Sequence, residues 1–100
     1  MKMQKIFIHN FPEKVMNALK DIPFVHVFAG EQDGKLHLFF CDKNYNVINR
    51  IRTGNIIEKS YGRANSMVYK TKNSRYVYFN MDETREFPVP GEAFATFTTL

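Results

Sequence analysis

The chain has 100 residues, a formal net charge of +4 and a composition in which Phe and Tyr are frequent and Trp is absent. This length suits one domain with its own core, so we expect residues 1–100 to form a single domain. Cys41 is the only cysteine. An internal disulfide and a multi-cysteine metal site are therefore excluded, which is typical of proteins from a reducing compartment.

The sequence also predicts the cellular location of the protein and the absence of a cofactor or metal. No stretch approaches the roughly 20 apolar residues of a membrane span, and the start MKMQKIFIHN lacks the apolar run of a signal peptide. We therefore expect a soluble cytoplasmic protein without membrane contact. No glycine loop for phosphates and no closely spaced metal ligands are present, so no cofactor or metal is predicted.

Residues 5–22 predict a strand followed by a helix. Ile6 and Ile8 alternate with Phe7 and His9, which places the two pairs on opposite faces of a strand. In the following segment, Asn10 and Glu13 have the spacing of a capping box, and Pro23 ends the helix. The apolar stripe of this helix comprises Val15, Ala18, Leu19 and Ile22.

Residues 24–41 predict two strands joined by the turn GEQDG. Alternation sorts their side chains onto two faces. The apolar face, on which we expect the helix to pack, comprises Val25, Val27, Leu36, Leu38 and Phe40. The other face comprises Phe24, His26, Phe28, His37, Phe39 and Cys41.

The second half of the sequence predicts further strands. After the turn DKNYN, VINRIRT favours a third antiparallel strand, with a short helix as the alternative, and residues 53–65 read as an irregular connection. VYKTKNSRYVYF (residues 68–79) predicts a hairpin that turns at Asn73 and Ser74. An acidic turn, FPVPG and a terminal strand AFATFTTL follow.

These elements predict an α+β fold. We expect a mainly antiparallel sheet with one helix on one face. The opening order strand–helix–strand–strand is half of a ferredoxin-like fold, and the second half is strand-rich.

Charge is distributed unevenly along the chain. Residues 1–42 are neutral overall, residues 43–76 carry a net charge of +7, and residues 77–100 carry a net charge of −3. A basic middle section is typical of proteins that bind a polyanion, either nucleic acid or an acidic protein surface. Ordinary solubilising cations are the alternative explanation.

The hexapeptide IFIHNF (residues 6–11) resembles one signature of the RNA-recognition motif, in which an aromatic residue at the end of the first strand stacks on a base. The resemblance covers about the first forty residues and implies that Phe7 points outward. Phe28 and Phe39, which alternation places together on one face, would extend the stacking face of Phe7. The strand KLHLFF departs from the second signature of that family. The alternative is that another layer, such as the C-terminal segment, covers these rings.

Histidines provide the only hint of catalysis. Alternation places His9, His26 and His37 on one face, where two imidazoles and a lysine would suit acid–base cleavage of RNA. No carboxylate or metal-ligand spacing accompanies them, so we do not expect an enzyme.

The sequence therefore favours a small binding protein whose ligand is single-stranded RNA or DNA. Tyr and Arg also dominate protein-binding surfaces. The alternative is thus an inhibitor or adaptor that docks on an acidic or nucleic-acid-handling partner, such as a phage-type anti-defence protein, and a histidine-dependent ribonuclease comes third. The predicted binding residues are Arg50, Arg52, Arg63, Lys70, Lys72, Arg75, Tyr76 and Tyr78.

Overall fold

The computed structural model describes residues 1–88 and 98–99, and most of them lie in β-strands. Within these residues, eight strands form one sheet, and a single short helix connects the first two strands. The strands are β1 (Lys2–Asn10), β2 (His26–Gln32), β3 (Lys35–Cys41), β4 (Val47–Asn55), β5 (Glu58–Tyr61), β6 (Ser66–Lys70), β7 (Arg75–Glu86) and β8 (Thr98–Thr99); the helix is α1 (Glu13–Leu19).

The predicted α+β class with a half ferredoxin-like opening is wrong, because the protein is mostly antiparallel sheet. The strand order is β5-β6-β7-β1-β2-β3-β4-β8, so β1 lies between β2 and β7. A ferredoxin-like opening would instead place β1 beside β3. The seven residues of α1 span about 10 Å, whereas the nine residues of β1 span about 30 Å. The helix is therefore too short to return the chain to the start of β1, and β2 pairs antiparallel with β1.

Periodicity predicted most of the individual strands correctly. β2 and β3 form the expected hairpin, with Asp33 and Gly34 at φ values of 53° and 73° in its turn. VINRIRT lies within β4 and is antiparallel to β3, so the helical alternative does not apply. The β6–β7 hairpin turns at Asn73 and Ser74 as expected.

Other local predictions need correction. Residues 53–65 contain the edge strand β5, and the predicted acidic turn is a continuation of β7 as far as Glu86. The helix has Pro12 at its N-cap without a side-chain hydrogen bond, so the predicted capping box does not form. Most of the predicted terminal strand lies outside the described residues. Its described part is β8, which runs parallel to β4.

The helix packs on the sheet face predicted for it. Val15 and Leu19 of α1 are buried in one apolar cluster with residues of β2 and β3. Four members of the predicted face belong to this cluster, namely Val27, Leu36, Leu38 and Phe40. Val25, the fifth, is 60 % exposed. Phe24, predicted for the other face, packs against this cluster instead, with its ring centre 5.2 Å from that of Phe40.

The same cluster shows that the sheet curls. Tyr69 of β6 and Tyr78 of β7 share it with Leu38 of β3 and Ile51 of β4, although these strands lie on opposite sides of β1 and β2. Strands so far apart in a sheet contact one core only when the sheet bends around it. We call this buried set the concave core.

The backbone fixes this curl where β4 leads into β5. Only Ile56 and Ile57 separate these two strands, although β5 lies at one edge of the sheet and β4 near the other. The Ile56 amide donates to the carbonyl of Gly34 at 2.8 Å, and the Ile57 amide donates to the carbonyl of Lys70 at 2.8 Å. The short connection thus bridges the β2–β3 turn and the end of β6.

A second, smaller core covers part of the opposite sheet face. Phe28 and Phe39 face each other across β2 and β3 and are fully buried. The centre of the Phe87 ring lies 5.2 Å from the ring centre of Phe28 and 5.1 Å from that of Phe39. The chain after β7 therefore covers the two rings, as in the alternative to a stacking face. Phe7 remains 63 % exposed.

Leu19→Asp tests the helix packing. Leu19 is 2 % exposed, so this variant would bury a charge without a partner, which costs several kcal/mol. A thermal melt followed by circular dichroism should show a large drop in Tm. Ala18→Asp, at an exposed position of the same helix, is the control and should melt close to the unmodified protein. Equal melting of both variants would contradict the packing.

Candidate functional site

The tyrosines predicted to bind a ligand lie in the core. Tyr76 has no exposed surface and Tyr78 is 4 % exposed. Tyr76 contacts Phe11 edge to face, with ring centres 5.3 Å apart, and Tyr78 stacks on Tyr69, with ring centres 6.0 Å apart. Burial raises the pKa values of the Tyr76 and Tyr78 hydroxyls. Neither ring offers a face to a ligand. Tyr76 and Tyr78 therefore stabilise the core and do not form the predicted binding surface.

The structure distributes the predicted cations over three regions. Arg50 and Arg52 alternate with buried Ile51 on β4 and therefore lie on the sheet face opposite the concave core, beside Phe39 and His37. Arg63 lies in the β5–β6 turn. The others, Lys70, Lys72 and Arg75, lie around the β6–β7 turn. β6 has five residues and is about 16 Å long, so these turns are well separated.

A groove at the rim of the curled sheet brings two lysines together. It has a volume of about 390 Å³. Lys14 comes from α1 and Lys72 from the β6–β7 turn. Asn55 is the last residue of β4, and Ile57 belongs to the β4–β5 connection. Thr71, Asn73 and Ser74 complete the lining on the hairpin side. We call this site the lysine groove.

Backbone hydrogen bonds hold the walls of the lysine groove. The amide of Thr71 donates to the carbonyl of Ser74 at 2.9 Å and closes the β6–β7 turn. The Ile57 bond to Lys70 fixes the opposite wall, and Ile57 is 68 % exposed beside the two lysines. An apolar contact surface therefore lies next to two cations.

Most cations near the lysine groove are not neutralised. Lys70 pairs with Glu58 at 3.6 Å. Among the described residues, Lys14, Lys72 and Arg75 make no ion pair. Lys70 and Arg75 also face each other across the hairpin, an arrangement of like charges that destabilises a sheet. This region is therefore suited to an anionic ligand.

The three histidines do not form a catalytic cluster. β2 lies between β1 and β3, so the strands of His9 and His37 are not adjacent. His26 pairs with Cys41, which is four residues, or about 13 Å, along β3 from His37. Burial lowers the pKa of His37, which favours its neutral form. Within residues 1–88 and 98–99, no group of His, Cys, Asp and Glu is placed to hold a metal ion.

His26 instead belongs to an aromatic stack on the sheet face opposite the concave core. Its ring is parallel to that of Tyr45 at 4.3 Å, and the guanidinium carbon of Arg85 lies 3.9 Å from the centre of the Tyr45 ring. The carboxylate of Asp42 accepts from the amides of Asn44 and Asn46 at 2.8 and 3.0 Å and shapes the turn that presents Tyr45. These contacts give His26 and Tyr45 a packing role.

An apolar surface also remains exposed between β1, β2 and the helix. β1 pairs with β2 only as far as Ile6, and beyond it the two strands diverge. The opening has a volume of about 350 Å³. Its exposed apolar side chains are Phe7, Met16 and Val25. Phe7 thus points outward, as the resemblance to the RNA-recognition motif implied, but on a different fold.

Comparisons with known proteins do not assign this site. No protein-family model, curated protein or solved structure matches the chain. The helix in the described part of the chain has seven residues, and a bilayer crossing needs about 20.

Two parts of the lysine groove were not predicted from the sequence. Lys14 lies in the charge-neutral first section and enters the site only because α1 packs over the rim. Asn55 and Ile57 were assigned to an irregular connection. The GNII segment (residues 54–57) that contains them has no polar–apolar alternation, and no local pattern shows that it would meet the β6–β7 turn.

Tyr76→Ala separates a structural role from a binding role. We expect a loss of about 3–5 kcal/mol in the free energy of unfolding, as for other large aromatic side chains removed from a core. Urea denaturation followed by circular dichroism measures this loss. Tyr61→Ala is the matched control, because Tyr61 is 77 % exposed, and its effect should stay within about 0.5 kcal/mol. Unchanged stability of Tyr76→Ala would contradict its place in the core.

Cys41 is predicted to be unreactive in the folded protein. It is fully buried, and burial raises the pKa of its thiol to about 11. The nucleophilic thiolate is therefore scarce at neutral pH. A chromogenic disulfide reagent at pH 8 should react slowly with the native protein and rapidly in urea. Equally rapid reaction of the native protein would contradict the burial of Cys41.

Proposed function

We propose that this protein binds single-stranded nucleic acid at the lysine groove. The observation that supports this most directly is the convergence of Lys14 and Lys72 on one cavity from two separate elements. Arg75, adjacent to the groove-lining Ser74, adds a third cation. Cations held on different elements around a cavity suit phosphate groups that approach from several directions.

The remaining lining suits a nucleotide. Asn55, Asn73 and the hydroxyls of Thr71 and Ser74 supply hydrogen-bonding groups, which commonly contact phosphate and sugar. Exposed Ile57 offers an apolar surface on which a base can lie. In a duplex, stacked pairs hide the faces of the bases, whereas a single strand leaves them free. A cavity of about 390 Å³ also matches a nucleotide-sized group.

A protein partner is the second candidate. The exposed apolar surface of Phe7, Met16 and Val25 favours it, because contiguous apolar side chains often mark protein contacts. α1 carries Met16 of this surface and Lys14 of the lysine groove. An acidic protein surface with an apolar centre would engage both, as expected for an inhibitor or adaptor.

Fluorescence anisotropy with single-stranded RNA and DNA oligomers across a series of salt concentrations tests the proposal. For single strands, the logarithm of the binding constant falls against the logarithm of salt concentration with a slope of about −0.7 for each phosphate neutralised. Lys72→Gln and Lys14→Gln should each weaken binding and reduce the steepness of this slope by about 0.7.

Lys43→Gln is the matched control. Lys43 is exposed in the β3–β4 turn and does not line the lysine groove, so this variant loses the same charge elsewhere. Equal weakening by all three substitutions would show a diffuse charge effect and contradict a localised site. Absence of binding at low salt would reject the nucleic-acid proposal and favour the protein partner.

A further inference from the structure

A second cavity, at the other end of the β6–β7 pair, has a different chemistry. Its volume is about 560 Å³. It lies between the β5–β6 turn and the part of β7 that follows Asn80. Its polar lining residues are Gln4, Asn65, Asn80, Asp82, Glu83 and Thr84. We call it the amide cavity.

A bulge of three residues in β7 forms one wall of the amide cavity. Gln4 pairs with Thr84 and Ile6 pairs with Asn80, so three residues of β7 lie opposite the single residue Lys5. The side-chain amide of Gln4 donates to the carbonyl of Glu83 at 3.1 Å and also to that of Met81. This amide supports the bulged backbone, which would otherwise lose its partners in the sheet. Bulges of this kind often lie next to functional sites.

The β5–β6 turn forms the opposite wall and is a tight hairpin turn. Ala64 and Asn65 have φ values of 54° and 62°, and the Ser66 amide donates to the carbonyl of Arg63 at 3.0 Å. Positive φ at both central residues is what a type I′ hairpin turn requires. The Asn80 amide donates to the carbonyl of Asn65 at 2.9 Å and holds the turn against β7.

The side chains in the cavity retain hydrogen-bonding capacity. Among the described residues, the side chains of Asn65, Asn80, Asp82 and Thr84 make no hydrogen bond to another protein group. Two amides supply donors and acceptors, the hydroxyl supplies both, and the Asp82 carboxylate accepts only. A ligand that matches this set presents both donors and acceptors.

Charge narrows the class of ligand. Glu83 is paired with Lys5 at 3.5 Å and with Arg85 at 4.0 Å. Among the described residues, the carboxylate of Asp82 makes no ion pair. A single free carboxylate falls short of the oxygen-rich shell that a divalent cation requires, and it repels phosphate. A neutral polar group therefore fits best.

We infer that the amide cavity binds a nucleobase, and that it prefers bases with an exocyclic amino group. Asp82 accepts a hydrogen bond from such an amino group, as acidic side chains do from cytosine, while Asn65 and Asn80 contact the remaining base edge. Arg63, exposed two residues before Asn65 in the same turn, supplies a cation for the attached phosphate. This inference rests on the proposed function, because the base would belong to a strand held at the lysine groove.

Anisotropy with oligo-A, oligo-C and oligo-U of equal length tests the preference, because the three strands carry equal phosphate charge. We expect at least about fivefold tighter binding of oligo-A and oligo-C than of oligo-U, since one good base contact is worth about 1 kcal/mol or more. Asp82→Asn should remove most of this preference and leave the salt dependence unchanged. Asp21→Asn changes net charge equally at an exposed position outside the cavity and should preserve the preference.

The outcomes separate this inference from the proposed function. Binding of all three strands with equal affinity would overturn the base cavity and leave the lysine groove supported. If no strand binds, NMR titration with adenosine, cytidine and uridine decides the cavity alone. Shifts of the Asn65 and Asn80 side-chain amides with adenosine and cytidine but not uridine would support it, and unchanged amide signals would overturn it.

Discussion

The shared concave core determines the rest of this structure. Tyr78 and Tyr69 from one half of the sheet pack in the same cluster as Leu38 and Ile51 from the other half, and the helix contributes Val15 and Leu19. Burial of apolar surface is the main favourable term in folding, so the sheet curls until both halves contact this core. The two-residue connection between β4 and β5 is possible only in the curled form, because it joins strands far apart in the sheet order.

The curl also explains why candidate binding features lie at the rims. Inside the core, side chains meet one another and leave no room for a ligand. At one rim, the helix, the β4–β5 connection and the β6–β7 turn meet around Lys14 and Lys72. At the other end of the β6–β7 pair, the bulge of β7 and the β5–β6 turn form a polar cavity around Asn80. Separate chemistries for phosphate and base are thus compatible with one strand that follows β6 and β7.

Local sequence patterns predicted the parts of this fold that depend on neighbouring residues. Alternation identified the β2–β3 and β6–β7 hairpins and placed Tyr69, Tyr76 and Tyr78 on one face. It did not show that this face is buried, because tyrosine is common both in cores and at binding surfaces. Strand order was also missed, since the pairing of β1 with β2 and β7 depends on contacts distant in sequence. The lysine groove and the amide cavity depend on that strand order. The sequence could therefore identify some of their cations and turn residues but not the sites that they form.

The most direct test of this account is the salt dependence of single-stranded oligomer binding to the unmodified protein and to Lys72→Gln. Lys72 is exposed on a turn and lines the lysine groove, so the variant should fold normally while it loses one phosphate contact. If Lys72 contacts a phosphate in the lysine groove, Lys72→Gln should bind more weakly, with a salt slope that is shallower by about 0.7. Identical affinity and slope for the two proteins would contradict this account.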